Sequence, residues 1–253
     1  MNHIDTLKNQ SETFRPEAVS PETIKKMFGS ISGRYDLTNS ILSVGIHHHW
    51  RTALVRWSGV RSGGAVLDCA TGTGDLAFQF ERATGRTGRV VGTDFCDEML
   101  IHARIKARNR NSRVLFEPAD VTALPYSSAS FDLSTISFGI RNVADPLQAL
   151  KEMGRVTRPG GAVLVLEFGQ SRVPIWKSLF GFYSTRILPM LGGFLTGKKD
   201  AYLYLQDSSS KFPCREAFLE LGRKTELFDQ LEFRPLMGGI AYIYKFRRSE
   251  ERD

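Results

Sequence analysis

The sequence is poor in cysteine and lacks the features of a secreted chain. Cys69, Cys96 and Cys214 are widely spaced and form no CxxC pair. An odd, sparse set of this kind disfavours a disulfide framework and a thiolate metal site, and it favours a reducing, cytoplasmic location. The polar N-terminus does not resemble a secretory signal, and residues 1–20 are expected to be disordered.

The sequence also lacks an uninterrupted apolar segment long enough to span a membrane. Its most apolar stretch, Pro174–Leu195, contains Lys177, Arg186 and Pro189. No run of roughly 18 uncharged apolar residues therefore remains, which argues against a transmembrane helix. We predict instead that residues 172–210 form a helical insertion that acts as a lid.

Charge is only moderately unbalanced. The net charge of +7 and the isoelectric point near 9.4 permit attraction to nucleic acid or to an anionic membrane surface. The basic residues are scattered, however, and the densest run, residues 245–253, mixes both signs. Hydrophobic residues make up 42% of the 253 residues, so the chain can bury a sizeable core. Residues 21–253 are predicted to form a single domain.

Between residues 64 and 168, apolar strands alternate with helical segments. The strand candidates are Ala65–Cys69, Arg89–Thr93, Arg113–Glu117, Phe131–Ser137 and Ala162–Phe168. Helices are expected near Asp75–Arg82, Asp97–Arg108 and Pro146–Val156. This order predicts an α/β fold with a parallel sheet that is covered by helices on both faces.

Two flanking regions complete the predicted domain. Residues 21–60 are expected to be helical, with Ser20 as the N-cap before Pro21. At the other end, Leu231–Leu236 and Gly239–Phe246 are predicted to form a β-hairpin. The result would be a mostly parallel, seven-stranded sheet with an antiparallel C-terminal hairpin.

The most informative stretch follows the first strand. Asp68 ends that strand, and Thr71, Gly72 and Gly74 precede the next helix. Glycines here let the backbone approach a ligand closely, at a helix N-terminus with free N–H donors. Gly-x-Gly alone also fits a dinucleotide site. An acid before the glycines instead suits the ammonium group of S-adenosylmethionine, which needs acceptors rather than a phosphate cradle.

Further polar residues follow the next strands. Asp94 ends the second strand, where it can accept hydrogen bonds from ribose hydroxyls, and Asp120 with Val121 follows the third, where adenine can be bound. Ser137 ends the fourth strand and joins the predicted cofactor site. A lone acid would be interpreted as a turn or cap residue. Acids ending three successive strands of one sheet favour a class I, Rossmann-like S-adenosylmethionine-dependent methyltransferase.

The segment after the fourth strand bears on the substrate. It reads SFGIRN and contains neither the Asn/Asp-Pro-Pro-Tyr/Phe tetrad of amino-group methyltransferases of nucleic acids nor a Pro-Cys pair. A nucleic-acid substrate is therefore disfavoured despite the basic isoelectric point.

Two segments resemble the signatures of the ubiquinone/menaquinone biosynthesis C-methyltransferase family. In the first segment the matching residues are Tyr35, Asp36, Asn39, Leu42, Ser43, His47 and Trp50. In the second they are Arg155, Val156, Pro159, Gly160, Gly161 and Glu167. Thr38, Thr157, Arg158 and Gly169 depart from the family pattern. The resemblance spans residues 28–245 and indicates a divergent member.

The resemblance implies methyl transfer to a ring carbon of a prenylated quinol, either demethylmenaquinol or the equivalent ubiquinone precursor. It points to Arg141 and Asn142 as catalytic, since arginine can stabilise a phenolate and order a water although it is a poor base. A salt bridge at the strand end is the alternative role for Arg141. His47 is expected to face the substrate or to serve as a second candidate base.

The resemblance also bears on location and partners. The lid would either be a buried helix or admit the polyprenyl tail from the membrane surface. We expect a cytoplasmic protein with peripheral contact at the inner membrane, and a homodimer or a quinone-biosynthesis complex is compatible with the sequence.

Three alternatives to this interpretation concern metal binding and activity. The consecutive residues His47, His48 and His49 suggest a metal site, but side chains about 100° apart on a helix cannot all converge on one ion. We therefore predict no metal. The chain could also be another small-molecule or RNA methyltransferase on the same fold, or a non-catalytic cofactor-binding subunit.

Overall fold

A computed structural model describes residues 21–31, 45–176, 181 and 207–250. Its centre is a seven-stranded sheet in the order β3-β2-β1-β4-β5-β7-β6. The strands are β1 Ala65–Cys69, β2 Arg89–Asp94, β3 Leu115–Pro118, β4 Phe131–Ser137, β5 Thr157–Phe168, β6 Phe228–Leu236 and β7 Ala241–Arg248. Neighbouring strands among β1–β5 are parallel, and β7 is antiparallel to both β5 and β6. The predicted architecture is confirmed.

The helices whose bounds are defined within the described residues accompany the sheet. They are α1 Pro21–Ile31, α2 Ile46–Ser58, α3 Asp75–Thr84, α4 Asp97–Asn109, α5 Pro146–Val156 and α6 Glu216–Arg223. Helix α5 has the bounds that the sequence predicts. Asp145 caps it by accepting a 3.0 Å hydrogen bond from the Gln148 backbone N–H, and Pro146 fits the first turn, where its missing donor costs nothing.

Both faces of the sheet are buried. On one face, Leu67, Val163 and Val165 pack with Leu150 and Met153 of α5. On the other face, side chains of α2, α3 and α4 pack on Val66, Leu164 and Leu166 of the sheet. Successive residues of β5 thus enter opposite cores, which explains why this central strand is apolar without alternation.

Several predicted boundaries differ from those found. Strand β3 begins two residues later than expected, and β5 begins at Thr157, directly after α5, rather than at Ala162. Thr157 pairs with Phe131 across an irregularity in the register, and this extension is not visible in the local pattern. In the hairpin, β6 begins three residues earlier than predicted, whereas β7 has the predicted length but begins and ends two residues later. A turn at Met237–Gly239 joins the two strands.

Helix α6 was not predicted, because eight residues carry too little periodicity to stand out. Residues 21–60 were predicted to be helical, and α1 and α2 are the two helices that the structure describes there. Ser20, the disordered tail, the first family signature before residue 45 and most of the lid lie outside the described residues. None of the described helices has the length and hydropathy needed to cross a membrane.

Candidate active site

A cavity lies at the carboxyl ends of β1–β4, beside the point where the strand order reverses between β1 and β4. Parallel α/β sheets bind ligands at this position. Five of the eight predicted cofactor residues line it: Gly72, Asp94, Asp120, Val121 and Ser137. Of the predicted catalytic residues, Asn142 lines it as well. Asp68, Thr71, Gly74, Arg141 and His47 are not among its lining residues.

The glycine loop between β1 and α3 is shaped by backbone hydrogen bonds. The Thr71 N–H donates to the Thr93 carbonyl over 2.9 Å, and the Gly74 N–H donates to the Thr71 carbonyl over 3.0 Å. Gly74 has φ of 86°, and a Cβ there would lie 2.6 Å from the Phe116 ring. A Cβ on Gly72 would meet no atom within 4 Å. Gly74 is therefore required for packing, whereas Gly72 leaves room for a ligand.

Asp68 lies behind this loop and is fully buried. Its Oδ2 accepts a 2.6 Å hydrogen bond from the Thr71 hydroxyl. Burial raises the pKa of the Asp68 carboxyl from 3.8 to about 7, although Thr71 and the positive charge of Arg51 oppose the shift. A carboxyl with this pKa gains its negative charge most readily when a cation such as an ammonium group is bound nearby.

Asp94 links the second strand to the glycine loop. Its two oxygens accept backbone hydrogen bonds from Gly72 over 2.8 Å and from Cys96 over 2.9 Å. Burial nevertheless raises the pKa of the Asp94 carboxyl above its usual value. Because each carboxylate oxygen can accept more than one hydrogen bond, Asp94 retains capacity for ribose hydroxyls.

Asp120 and Ser137 follow different strands and both line the cavity. Asp120 Oδ1 accepts hydrogen bonds from the N–H and the hydroxyl of Thr122, over 2.8 and 2.7 Å, so this acid also stabilises a turn. The Ser137 hydroxyl oxygen is buried and has no hydrogen-bond partner among the described residues. A buried hydroxyl without a partner is costly unless a ligand completes its bonding.

Arg141 forms a buried ion pair beside the cavity. Its Nη1 donates to Glu167 Oε1 over 2.6 Å and to the Phe138 carbonyl over 2.9 Å. The Arg141 Nε is buried without a partner among the described residues. The pair holds the segment Phe138–Asn142, whose two end residues line the cavity. The salt bridge considered as the alternative role is therefore present, and it leaves part of the guanidinium group unsatisfied.

His47 lies on α2 and is buried. Burial, with the charge of Arg51 and with His48, lowers the pKa of His47 from 6.5 to about 3. A histidine with this pKa is neutral at pH 7 and is a weak base. His47, His48 and Asp75 place ligand atoms within 4.8 Å of one another. Asp75 is already paired with Arg51 and Lys106, two cations that would repel a metal ion.

The sequence interpretation missed two charged residues of this region. Glu167 was noted only as a signature match, although a carboxylate at the end of a buried apolar strand indicates a buried cation as partner. Arg51 was not singled out, because nothing in its local sequence distinguishes it from Arg56, the other arginine of α2.

Comparisons with known proteins identify the family of the chain. The ubiE/COQ5 methyltransferase family matches residues 17–246. The ubiquinone/menaquinone biosynthesis C-methyltransferase UbiE of Bdellovibrio bacteriovorus is 57% identical over 226 residues, which are 89% of this chain and 96% of that protein.

Solved structures share the fold at low identity. The [4+2]-cyclase SpnF has a TM-score of 0.64 at 15% identity and covers 95% of this chain and 100% of its own. A methyltransferase of Thermotoga maritima, described as a possible histamine N-methyltransferase, has a TM-score of 0.63 at 17% identity and covers 88% and 98%. Since one of these relatives is named as a cyclase, the fold alone does not define the reaction.

The sheet order is that of class I S-adenosylmethionine-dependent methyltransferases, and the family match assigns the chain to this class. The chain belongs to the ubiE/COQ5 methyltransferase family.

Proposed function

We propose that the protein transfers the methyl group of S-adenosylmethionine to a ring carbon of a prenylated quinol, demethylmenaquinol or the corresponding ubiquinone precursor. The ring carbon forms a bond to the methyl carbon while the carbon–sulfur bond breaks, and S-adenosylhomocysteine leaves. The ring then loses a proton from the same carbon. The names of the curated relatives support this substrate class.

Within this proposal, the cavity at the strand ends holds the cofactor. Asp94 accepts hydrogen bonds from the ribose hydroxyls, and Asp120 and Val121 contact the adenine. Asp68, Thr71, Gly72 and Gly74 surround the methionine end, and Ser137 donates its hydroxyl hydrogen to the cofactor. The cofactor supplies the reactive methyl group, and the chain's own residues orient it for in-line attack.

The observation that carries the catalytic assignment is the buried Arg141–Glu167 pair next to Asn142. Glu167 and the Phe138 carbonyl fix one nitrogen of the guanidinium group. The remaining N–H donors can stabilise the phenolate oxygen that makes the neighbouring ring carbon nucleophilic, or they can order a water that relays the proton. Asn142 at the cavity wall would orient the quinol hydroxyl. His47, with a pKa of about 3, is a weak base, so Arg141 is the first residue to test.

A prenylated substrate also suggests a membrane contact. Val173 and Ile175 are 41% and 64% exposed and stand at the start of the apolar stretch 174–195, most of which lies outside the described residues. We propose a cytoplasmic enzyme that meets the inner membrane peripherally through this region. As a second proposal, the protein assembles as a homodimer or within a quinone-biosynthesis complex.

The test is a methylation assay with short-chain demethylmenaquinol and the matching benzoquinol precursor, read by mass spectrometry of the product. We expect at least one acceptor to carry a methyl group in place of one ring hydrogen. Methylation of RNA instead, with binding that weakens steeply as salt rises, would favour the nucleic-acid alternative. Cofactor binding without turnover of either quinol would favour a non-catalytic subunit.

A further inference from the structure

Arg51 is a largely buried cation whose hydrogen bonding is incomplete. Its side chain is 12% exposed. Among the described residues it forms one side-chain hydrogen bond, a long one of 3.3 Å from Nη1 to Asp75 Oδ2. Its Nε is buried and has no partner there. A buried guanidinium in this condition lacks the donor–acceptor pairing that normally compensates for its desolvation.

Asp75 does not neutralise Arg51 by itself. The other oxygen of the carboxylate, Oδ1, accepts a 2.9 Å hydrogen bond from Lys106 Nζ. Lys106 also donates to the Thr73 hydroxyl over 2.9 Å, so it is held by two groups of the α3 N-terminus. The single negative charge of Asp75 is therefore shared between Lys106 and Arg51. Because the bond to Arg51 is the longer one, Arg51 is the less well neutralised of the two cations.

The charge of Arg51 lies beside the glycine loop. Asp75 is the first residue of α3 and directly follows Gly74. Helix α2, which carries Arg51, packs against α3. The positive charge of Arg51 lowers the pKa of Asp68, the acid at the end of β1. Among the described residues, the region of the glycine loop thus contains one incompletely paired cation and one buried acid.

The methionine part of the cofactor has the complementary charges, an ammonium group and a carboxylate. Asp68 suits the ammonium group, but none of the predicted cofactor residues is a cation that could bind the carboxylate. We propose that Arg51 binds the α-carboxylate of S-adenosylmethionine, using Nε and a terminal nitrogen as a two-pronged donor. The dipole of α3 adds to the attraction for an anion near its N-terminus at Asp75.

Two neighbouring side chains are weaker candidates for the same role. Lys106 is committed to Thr73 and Asp75. His47 carries no positive charge at pH 7 because its pKa is about 3. Arg51 is therefore the cation with unused donors at this end of the loop.

The proposal is tested by comparing two ligands that differ only in the carboxylate. Calorimetry is run with S-adenosylhomocysteine and with decarboxylated S-adenosylhomocysteine, S-adenosyl-3-thiopropylamine, on the wild-type chain and on Arg51→Gln. We expect Arg51→Gln to bind S-adenosylhomocysteine roughly 10- to 100-fold more weakly, as for the loss of a charged hydrogen bond. Its affinity for the decarboxylated ligand should stay within about threefold.

Two matched variants complete the design. Arg56→Gln removes an exposed arginine of the same helix and should leave both affinities unchanged. Arg51→Lys keeps the charge without the fork and should bind S-adenosylhomocysteine with intermediate affinity, which keeps the test usable if Arg51→Gln melts at a low temperature. The binding measurement needs no methyl acceptor, so its result is independent of the quinol assignment.

Equal losses for the two ligands in both Arg51 variants would overturn the proposal, since a merely structural role affects them alike. It would also be overturned if Lys106→Gln discriminated between the ligands and Arg51→Gln did not. In that case the carboxylate would lie on the α4 side of Asp75.

Discussion

Arg141 and Glu167 form an ion pair over 2.6 Å in which the two side chains are 5% and 0% exposed. Strands β4 and β5 bring them together from positions 26 residues apart in the sequence. Burial raises the pKa of the Glu167 carboxyl, while the charge of Arg141 opposes that shift. Removing one member would leave the other charged and unpaired in the protein interior, a situation that costs roughly 3–5 kcal/mol.

The first prediction concerns this pair. Arg141→Lys should lower kcat by roughly 10²–10⁴, the scale of proton-transfer assistance, because an ammonium group cannot reproduce the planar fork. The affinity for S-adenosylhomocysteine should stay within about threefold. The measurements are methyl transfer to short-chain demethylmenaquinol and calorimetry, with thermal melting to check the fold.

A second variant separates stability from catalysis. Arg141→Ala is expected to melt well below the wild type, and combining it with Glu167→Gln should recover much of that loss by removing the unpaired charge. The recovered double variant should still turn over slowly. Normal turnover by a stably folded Arg141 variant would make the arginine purely structural, and His47 would then be tested.

The second prediction concerns Asp94. Asp94→Ala should weaken cofactor binding by roughly 1.5–3 kcal/mol, since a charged acceptor of ribose hydroxyls is lost. Asp94→Asn keeps one acceptor oxygen and should lose less. Calorimetry with S-adenosylhomocysteine and with adenine distinguishes the two parts of the ligand, because adenine lacks the ribose. Unchanged affinity in Asp94→Ala would place the ribose elsewhere.

The third prediction is a pH dependence that arises from Asp68. Its pKa is raised by burial from 3.8 to about 7, so the folded protein without ligand favours the protonated form. The proton on the Asp68 carboxyl therefore stabilises the folded protein. This contribution to the free energy of unfolding is complete below pH 3.8 and is lost as the pH rises through about 7. Binding of the cofactor's ammonium group favours the ionised form, so the affinity for S-adenosylhomocysteine should increase between pH 6 and 8.

The control for this dependence is Asp68→Asn, which cannot ionise. It should bind more weakly and lose the part of the pH dependence that Asp68 provides. Calorimetry at pH 6, 7 and 8 on both proteins gives the comparison. Parallel curves for the two proteins would show that Asp68 does not titrate upon binding.

The fourth prediction concerns the membrane contact. The wild-type chain should bind anionic vesicles, and more weakly as salt rises. Ile175→Glu should reduce binding about tenfold or more, because it removes an apolar side chain and adds a negative charge at the proposed contact. The matched control is Ile105→Glu on α4, where the isoleucine is 46% exposed. Equal losses in vesicle sedimentation for both variants would indicate a general charge effect.

Much of the candidate site could be predicted from the sequence. Asp68 and Asp94 lie at the ends of β1 and β2, Asp120 follows β3, and neighbouring strands of a parallel sheet end at the same edge. The strand pattern and the glycine spacing were therefore sufficient to predict acids at one edge of the sheet, where Asp94 and Asp120 line the cavity and Asp68 lies behind the glycine loop. The bounds of α5 were also predictable, because its cap and its first proline are local signals.

The partners of the buried charges were decided by the tertiary structure alone. Glu167 meets Arg141 across two strands, and Arg51 meets Asp75 across two helices, so no local pattern identifies either pair. The pKa of Asp68 likewise depends on the loss of water around it. Hydration is removed by segments that are distant in sequence, and the free energy of a charge depends on its surroundings more than on its neighbours along the chain.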